Sequence, residues 1–278
     1  MTPITFIHLA EVDSTNTYLL QLPRIPGQPY VAVHADFQTA GRGQRGNTWH
    51  SARGQNLLGS IRHHPTFIRP DEQFVLSQLI ALAITDVIAE LIPDAASDLR
   101  IKWPNDIYWR DRKLCGILIE YELSASSIEQ AIIGFGLNVH QTEFAPAAGD
   151  TTLRLPARGV LGATFRPVSL QQIVMETQQE SSSPKPLPSF FIPDLFHSLA
   201  ERYVAYLTRY EADPSTRADI DSDYTSRLYR LNTPARYRDA SGDFIATLEG
   251  VNPNGTLRLR LPDGSLRHYE FKEVAYII

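Results

Sequence analysis

Four short β-prone runs, Leu99 to Trp103, Asp106 to Trp109, Lys113 to Glu122 and Ile128 to Val139, follow one another with only turn residues between them. Connections this short favour hairpin-like pairing over helical crossovers, so the block reads as part of a mixed or antiparallel sheet. Just before it, Asp71 to Ile92 is the longest helical pattern in the chain. Phe74, Leu76, Leu79, Ile80, Ala83, Val87 and Leu91 lie on its broad apolar face, which should form a wall of the core. The expected class is α+β, a mixed or antiparallel sheet packed on helices.

The flanking segments fit this frame. Ile4 to His8 reads as a strand, and Asp13-Ser14-Thr15-Asn16, a run of preferred N-cap residues, opens a helix over Thr17 to Leu22. Tyr30 to Asp36 and Asn56 to Arg62 read as strands with no helix between them. Helices are expected at 168–179, 191–211 and Arg217 to Tyr229, and the Pro-containing stretch Ser181 to Pro188 as an exposed loop. From about Thr233 the pattern changes to short strands broken by Ser241-Gly242, Asn252-Pro253-Asn254-Gly255 and Pro262-Asp263-Gly264. That is a small β-barrel of roughly 45 residues. The expected division is 1–230 and 231–278.

Composition narrows the function. The chain has 278 residues, enough for a main domain and a small companion, and 43% hydrophobic residues suffice for a core without disulfides. The longest unbroken apolar run, Leu79 to Ile84, is far short of a bilayer span, and Met1 to Asp13 has no signal-peptide pattern. With a single cysteine, Cys115, inside an apolar run, a reducing cytoplasmic setting is expected. A net charge of −5 with no dense basic stripe argues against nucleic-acid binding. Of the 26 basic residues only four are Lys, and two of them, Lys102 and Lys113, share one segment. A Lys kept against an Arg-rich background can mark a site that needs a compact ammonium.

Gly41-Arg42-Gly43-Gln44-Arg45-Gly46 matches G-x-G-x-x-G, but the dinucleotide fingerprint also needs a following helix and an acidic residue about 20 positions on. Neither is present: no helical pattern follows, and no Asp or Glu lies between Gly46 and Asp71. What remains is either an ordinary glycine-rich turn or a loop whose amides and guanidinium forks suit a phosphate or acyl phosphate. Lys102-Trp103-Pro104-Asn105-Asp106 forms a turn that projects Asn105 and Asp106 from a sheet end. Asp106 is there either to hold Mg²⁺ or an amine, or only to cap its own turn. Lys113 stands at the mouth of an apolar strand, as a ligand-facing or merely solvated lysine, and Gly116 admits close approach to the backbone. Gly134-Phe135-Gly136-Leu137-Asn138-Val139 pairs strand glycines with one amide, suited to a planar ring held against bare backbone.

In order and spacing, Ser14-Thr15-Asn16, Gln38 through Gly46 with Trp49, Lys102 through Asp106, Arg112 through Glu120 and Gly134 through Val139 resemble biotin-protein ligases. The resemblance implies a class II aminoacyl-tRNA synthetase-like ligase core with a C-terminal SH3-like barrel. It also implies an activity: biotin and MgATP give biotinyl-5′-adenylate, and biotin passes to one lysine of a biotin carboxyl carrier domain of a carboxylase. Carried over by position, Ser14, Thr15, Asn16 and Gln38 surround biotin, joined by Arg42, Gly43, Gln44, Lys113 and Gly116. Gly41, Arg42, Arg45, Trp49, Asn105, Lys113 and Asn138 meet ATP or the adenylate. Lys113, Arg42 and Asp106 are the implied catalytic groups, and Asp106 the implied Mg²⁺ ligand or the group that receives the acceptor amine.

Two departures stand out. Better-known members often carry Arg where this chain has Gln44, which predicts weaker retention of the adenylate. The motifs begin at Ser14, which leaves no room for a preceding DNA-binding domain, so operator binding is not expected, nor is a membrane partner. A monomer or weak homodimer fits. The competing readings are a lipoate-type acyl ligase, against which the glycine-rich loop and the terminal β-domain argue, and a non-catalytic biotin-binding module, against which Lys113 and Asp106 argue. The late barrel is also the sole feature favouring a nucleic-acid role.

Overall fold

The computed structural model describes residues 3–144, 166–180 and 189–278. Within them, β1 (Ile4–Leu9), β2 (Tyr30–Ala35), β3 (Asn56–His63), β4 (Leu99–Lys102), β5 (Asp106–Trp109), β6 (Arg112–Leu123) and β7 (Ile128–Asn138) form a sheet ordered β1-β2-β3-β7-β6-β5-β4. β1 and β2 pair in parallel, while the other neighbours are antiparallel. The mixed sheet therefore matches the expected class.

Side-chain alternation assigns the two faces. Leu57, Ile61, Ile133, Phe135 and Leu137 point to the main core, with α2 (Phe74–Leu91) and α4 (Ile192–Ala212) packed over it. Val31, Val33 and Ile132 point the other way, against Leu19 of α1 (Thr15–Gln21). α2 is apolar nearly all round because it lies between other elements: 13 of its 18 residues are buried, and Leu91 at its end is exposed instead of facing the core. By length and composition alone this helix with its lead-in could cross a membrane, but 72% of that window is buried inside the fold.

Three of the boundaries that move show local physical reasons. The first helix starts at Thr15, two residues early: Asp13 Oδ1 accepts from the Ser14 amide at 2.6 Å, and the Ser14 hydroxyl makes no cap. The buried Arg62 guanidinium closes the other end of α1, donating to the carbonyls of Leu19 at 2.8 Å, Pro23 at 3.2 Å and Leu22. The helix expected to reach Tyr229 stops as α5 (Arg217–Ser226), because the chain leaves it to bond Ile101 of β4: Ile101 N to Arg227 O is 2.8 Å and Tyr229 N to Ile101 O is 2.9 Å. Trp103 belongs to the turn after β4 rather than to the strand. The helix α3 (Leu170–Glu180) is present, while the stretch 181–188 lies outside the described residues.

The last part folds as β8 (Pro234–Asp239), β9 (Gly242–Val251), β10 (Leu257–Arg260), β11 (Leu266–Tyr269) and β12 (Ala275–Tyr276), an antiparallel sheet ordered β11-β10-β9-β8-β12. It curls enough for the Tyr269 hydroxyl of β11 to reach Asp239 of β8 at 2.8 Å, in keeping with an SH3-like arrangement. Its interior, Tyr237, Leu248, Leu257 and Leu259, is continuous with the main core. One contact joins the two sheets next to the polar turn. Trp103 Nε1 donates to Gly255 O at 2.9 Å, and Gly255, at φ +93°, sits so close to Phe74 that a Cβ there would lie 2.9 Å from its ring.

Candidate active site

On the α1 face, the centre of the sheet has no side chains where three glycines meet. Gly116 of β6 pairs with Gly136 of β7, and Leu118 pairs with Gly134, so Gly116, Gly134 and Gly136 form a bare floor. Each is needed for a close approach. A Cβ on Gly136 would lie 2.4 Å from the Trp49 indole, one on Gly116 2.9 Å from the same ring, and one on Gly134 2.1 Å from Asn16 Oδ1. The floor was readable as strand glycines; that they share one face follows only from the register.

Around this floor is a pocket lined by Ser14, Thr15, Asn16 and Gln38 on one side and by Arg42, Gly43, Gln44 and Trp49 above, with Asn105, Lys113 and Gly116 at the far end. The first wall is a rank of hydroxyls and amides. Gln38 Oε1 accepts from the Thr15 amide at 2.7 Å and from the Thr15 hydroxyl at 3.0 Å. Ser60 Oγ lies 2.6 Å from Asn16 Oδ1 and 2.7 Å from Thr15 Oγ1. Ser60, fully buried on β3, was not a sequence candidate, because a lone strand serine gains meaning only through its register partner Gly134.

Lys113 reaches the pocket through an irregularity. The pairing of β5 with β6 shifts between Ile107 and Tyr108, which re-aims the Lys113 side chain over Gly116. Its Nζ lies 2.7 Å from Asp106 Oδ1, and the two side chains are only 18% and 14% exposed, so the pair is largely withdrawn from water. That oxygen has no directional hydrogen bond, so the contact is an ion pair alone. The ammonium also lies 5.6 Å from the Trp49 ring centroid. Asn105 is fixed beside them, donating Nδ2 to Ile117 O at 2.8 Å.

The second cation is paired too. Arg42 donates through both terminal nitrogens to Glu120, at 3.0 and 2.8 Å, and Glu120 also accepts from Asn16 Nδ2 at 2.7 Å. Glu120 closes the Arg112 through Glu120 motif, which by itself assigns it no role. Trp49 Nε1 and Gln44 Oε1 are buried without partners, leaving a donor and an acceptor for a polar ligand. Gly41 packs against the Trp49 backbone, whose amide bonds Gly41 O at 2.9 Å. Asn138 does not line the pocket: its amide is directed to Val168 O at 3.0 Å. The Arg45 side chain lies outside the described residues. Cys115 points to the opposite face, and burial pushes its thiol pKa up, so it is no nucleophile. Among the described residues no cluster of three or more His, Cys, Asp or Glu could hold a metal ion; Asp106 faces the Lys113 ammonium.

A polar rank, a glycine floor under an indole and a half-buried cation beside an anion suit a flat, neutral, hydrogen-bonding head group that carries an acidic tail. Comparison with known proteins agrees. The sequence pattern of the "Biotin/lipoate A/B protein ligase family" matches residues 9–138. A biotin–[acetyl-CoA-carboxylase] ligase of Paracoccus denitrificans is 32% identical over 261 residues, covering 92% of this chain and 94% of that one. The bifunctional ligase/repressor BirA of Escherichia coli is 40% identical over 133 residues, 47% of this chain but only 39% of that protein. In fold, the chain is similar to the biotin protein ligase from Aquifex aeolicus in complex with biotin and ATP, with a TM-score of 0.68 and 22% identity over 98% of this chain and 97% of that one. Likeness along nearly the full length of both chains, on top of the pocket chemistry, settles the relationship: this chain belongs to the biotin/lipoate A/B protein ligase family, among its biotin-protein ligases.

Proposed function

We propose that this chain is an ATP-dependent biotin-protein ligase that forms biotinyl-5′-adenylate and passes biotin to a lysine of a biotin carboxyl carrier domain. One observation carries the reading: a half-buried ammonium, Lys113, at the end of a pocket whose opposite wall is neutral and hydrogen-bonding. The ureido ring of biotin both donates and accepts, matching Ser14, Thr15, Asn16 and Gln38. The carboxylate then extends toward Lys113.

In the first step a carboxylate oxygen attacks the α-phosphorus of ATP, an acyl–phosphate bond forms and pyrophosphate leaves. Two anions approach each other, and Lys113 offsets the charge that accumulates between them. Arg42 is the second cation at hand, and Trp49 offers its face to the adenine. Mg²⁺ arrives with ATP as part of that substrate, held chiefly by phosphate oxygens. In the second step the ε-amine of the carrier lysine attacks the acyl carbon and AMP leaves, with Asp106 placed to receive or orient the amine proton. The glycine-rich loop shields the anhydride from water between the steps. We assign catalysis to 1–230, carrier docking to the 231–278 sheet, and the whole to the cytoplasm without DNA as a partner.

The test is biotin-dependent exchange of labelled pyrophosphate into ATP, followed by transfer of label to a carrier domain with and without its target lysine. Activity in both steps, lost with the lysine-less carrier, is expected. Exchange with lipoate and not biotin would overturn the substrate, and no exchange with either would leave a binding module.

A further inference from the structure

The glycine-rich loop leads into Trp49, whose indole lies on Gly116 and Gly136 of the sheet. The loop's backbone bonds, Gly43 N to Asn47 O at 2.7 Å and Trp49 N to Gly41 O at 2.9 Å, are internal. A cavity of about 430 Å³ lies between the loop and β6, bordered by Gly41, Arg42, Thr48, Leu118 and Glu120. Across this gap runs the bidentate pair Arg42–Glu120. The same Glu120 carboxylate holds Asn16 Nδ2 at 2.7 Å, and Asn16 in turn lies 2.6 Å from Ser60 Oγ in the head-group wall.

We propose that Glu120 is a positioning residue of this reaction: it fixes Asn16 for the head group and, through Arg42, fastens the glycine-rich loop over the bound intermediate. One carboxylate thus joins recognition of the head group to closure of the loop. Arg42 is the partner that Glu120 acts through, and a planar fork facing a carboxylate gives that link a defined direction. The inference rests on the proposed adenylate-forming reaction and adds to it a residue that touches neither substrate.

The test follows release of preformed biotinyl-adenylate from the full chain, chased with unlabelled biotin. Wild-type protein that forms no adenylate refutes the reaction itself, separately from this inference. Given a wild-type adenylate, Glu120→Gln keeps an acceptor for Asn16 but loses the charge facing Arg42. Release about fivefold faster is expected, the upper range for a partly exposed pair. Glu120→Asp, shorter but charged, should fall between the two, and the melting temperature of each should stay within about 2 °C of wild type. The decisive comparison is Arg42→Gln with and without Glu120→Gln. If Glu120 acts through Arg42, the double variant releases no faster than Arg42→Gln alone. Additive effects, or wild-type release from Glu120→Gln, would overturn the proposal.

Discussion

The floor of the pocket makes Gly134→Ala the most informative single change. The new methyl would lie 2.1 Å from Asn16 Oδ1, 2.9 Å from its Cγ and 3.0 Å from its Nδ2, so the whole amide must retreat by at least about 1 Å to reach ordinary contact. A shift of that size breaks the bonds of 2.6 Å to Ser60 and 2.7 Å to Glu120, the second of them charge-assisted. Losing one neutral and one charge-assisted bond costs about 2–4 kcal/mol, offset by roughly 0.4–1 kcal/mol from the stiffer unfolded chain. The net loss of about 2–3 kcal/mol lowers the melting temperature by roughly 4–10 °C and leaves the protein folded at 25 °C. Biotin affinity, measured by calorimetric titration there, should fall at least about tenfold, because Asn16 no longer faces the ring. On an Asn16→Ala background the clash is gone, so adding Gly134→Ala should cost little more in affinity. Wild-type affinity in Gly134→Ala, or a full extra loss in the double variant, would refute the reasoning.

Other expectations follow from the same geometry. Lys113→Ala removes the cation at the reacting atoms and strands Asp106 without its partner; pyrophosphate exchange should drop by roughly 10²–10³, and near-normal exchange would contradict the assignment. Gln44→Arg places a cation in the covering loop where Gln44 Oε1 is unpartnered, so leakage of adenylate, followed by trapping with a free amine, should decrease. Burial, with His8 nearby, lowers His34 to about 4, and burial lowers His63 to about 3. Both are therefore protonated more readily in the unfolded chain, so their contribution to stability is complete above the ordinary histidine pKa near 6.5 and is lost as pH falls from there toward 3. Denaturant midpoints flat between pH 5 and 7 would exclude this. Cys115 should resist alkylation in the native protein and react rapidly once unfolded, as mass spectrometry can follow.

The sequence carried the sheet well because its strands alternate and its connections are short; the observed shifts of one or two residues at their ends do not alter which side chains face which way. The pocket was legible where function needs a run of residues: Ser14 to Asn16, the glycine-rich loop, and the Asn105-Asp106 turn. It was hidden where function needs coincidence across strands. Ser60 and Gly134 are 74 positions apart and meet only through register. Glu120 acquires a role because Arg42 and Asn16 converge on it from separate segments. Asn138 looked available as a polar residue after strand glycines, yet its amide serves the returning segment at Val168. The end of α5 shows the same limit: its own residues favour continuation, and Ile101 stops it by offering backbone bonds.

The bond from Trp103 to Gly255 has a consequence for the order in which the enzyme is made. Asn105 and Asp106 stand one proline after an indole that is anchored by a loop 152 residues further along the chain. Chains are synthesised from the N-terminus and fold in units as they emerge. During translation the seven main strands are already outside the ribosome while the anchor for that indole has still to be made, so a nascent chain holds the parts of the pocket before it holds their final alignment. Activity would then appear late in synthesis, with the closing of the second sheet.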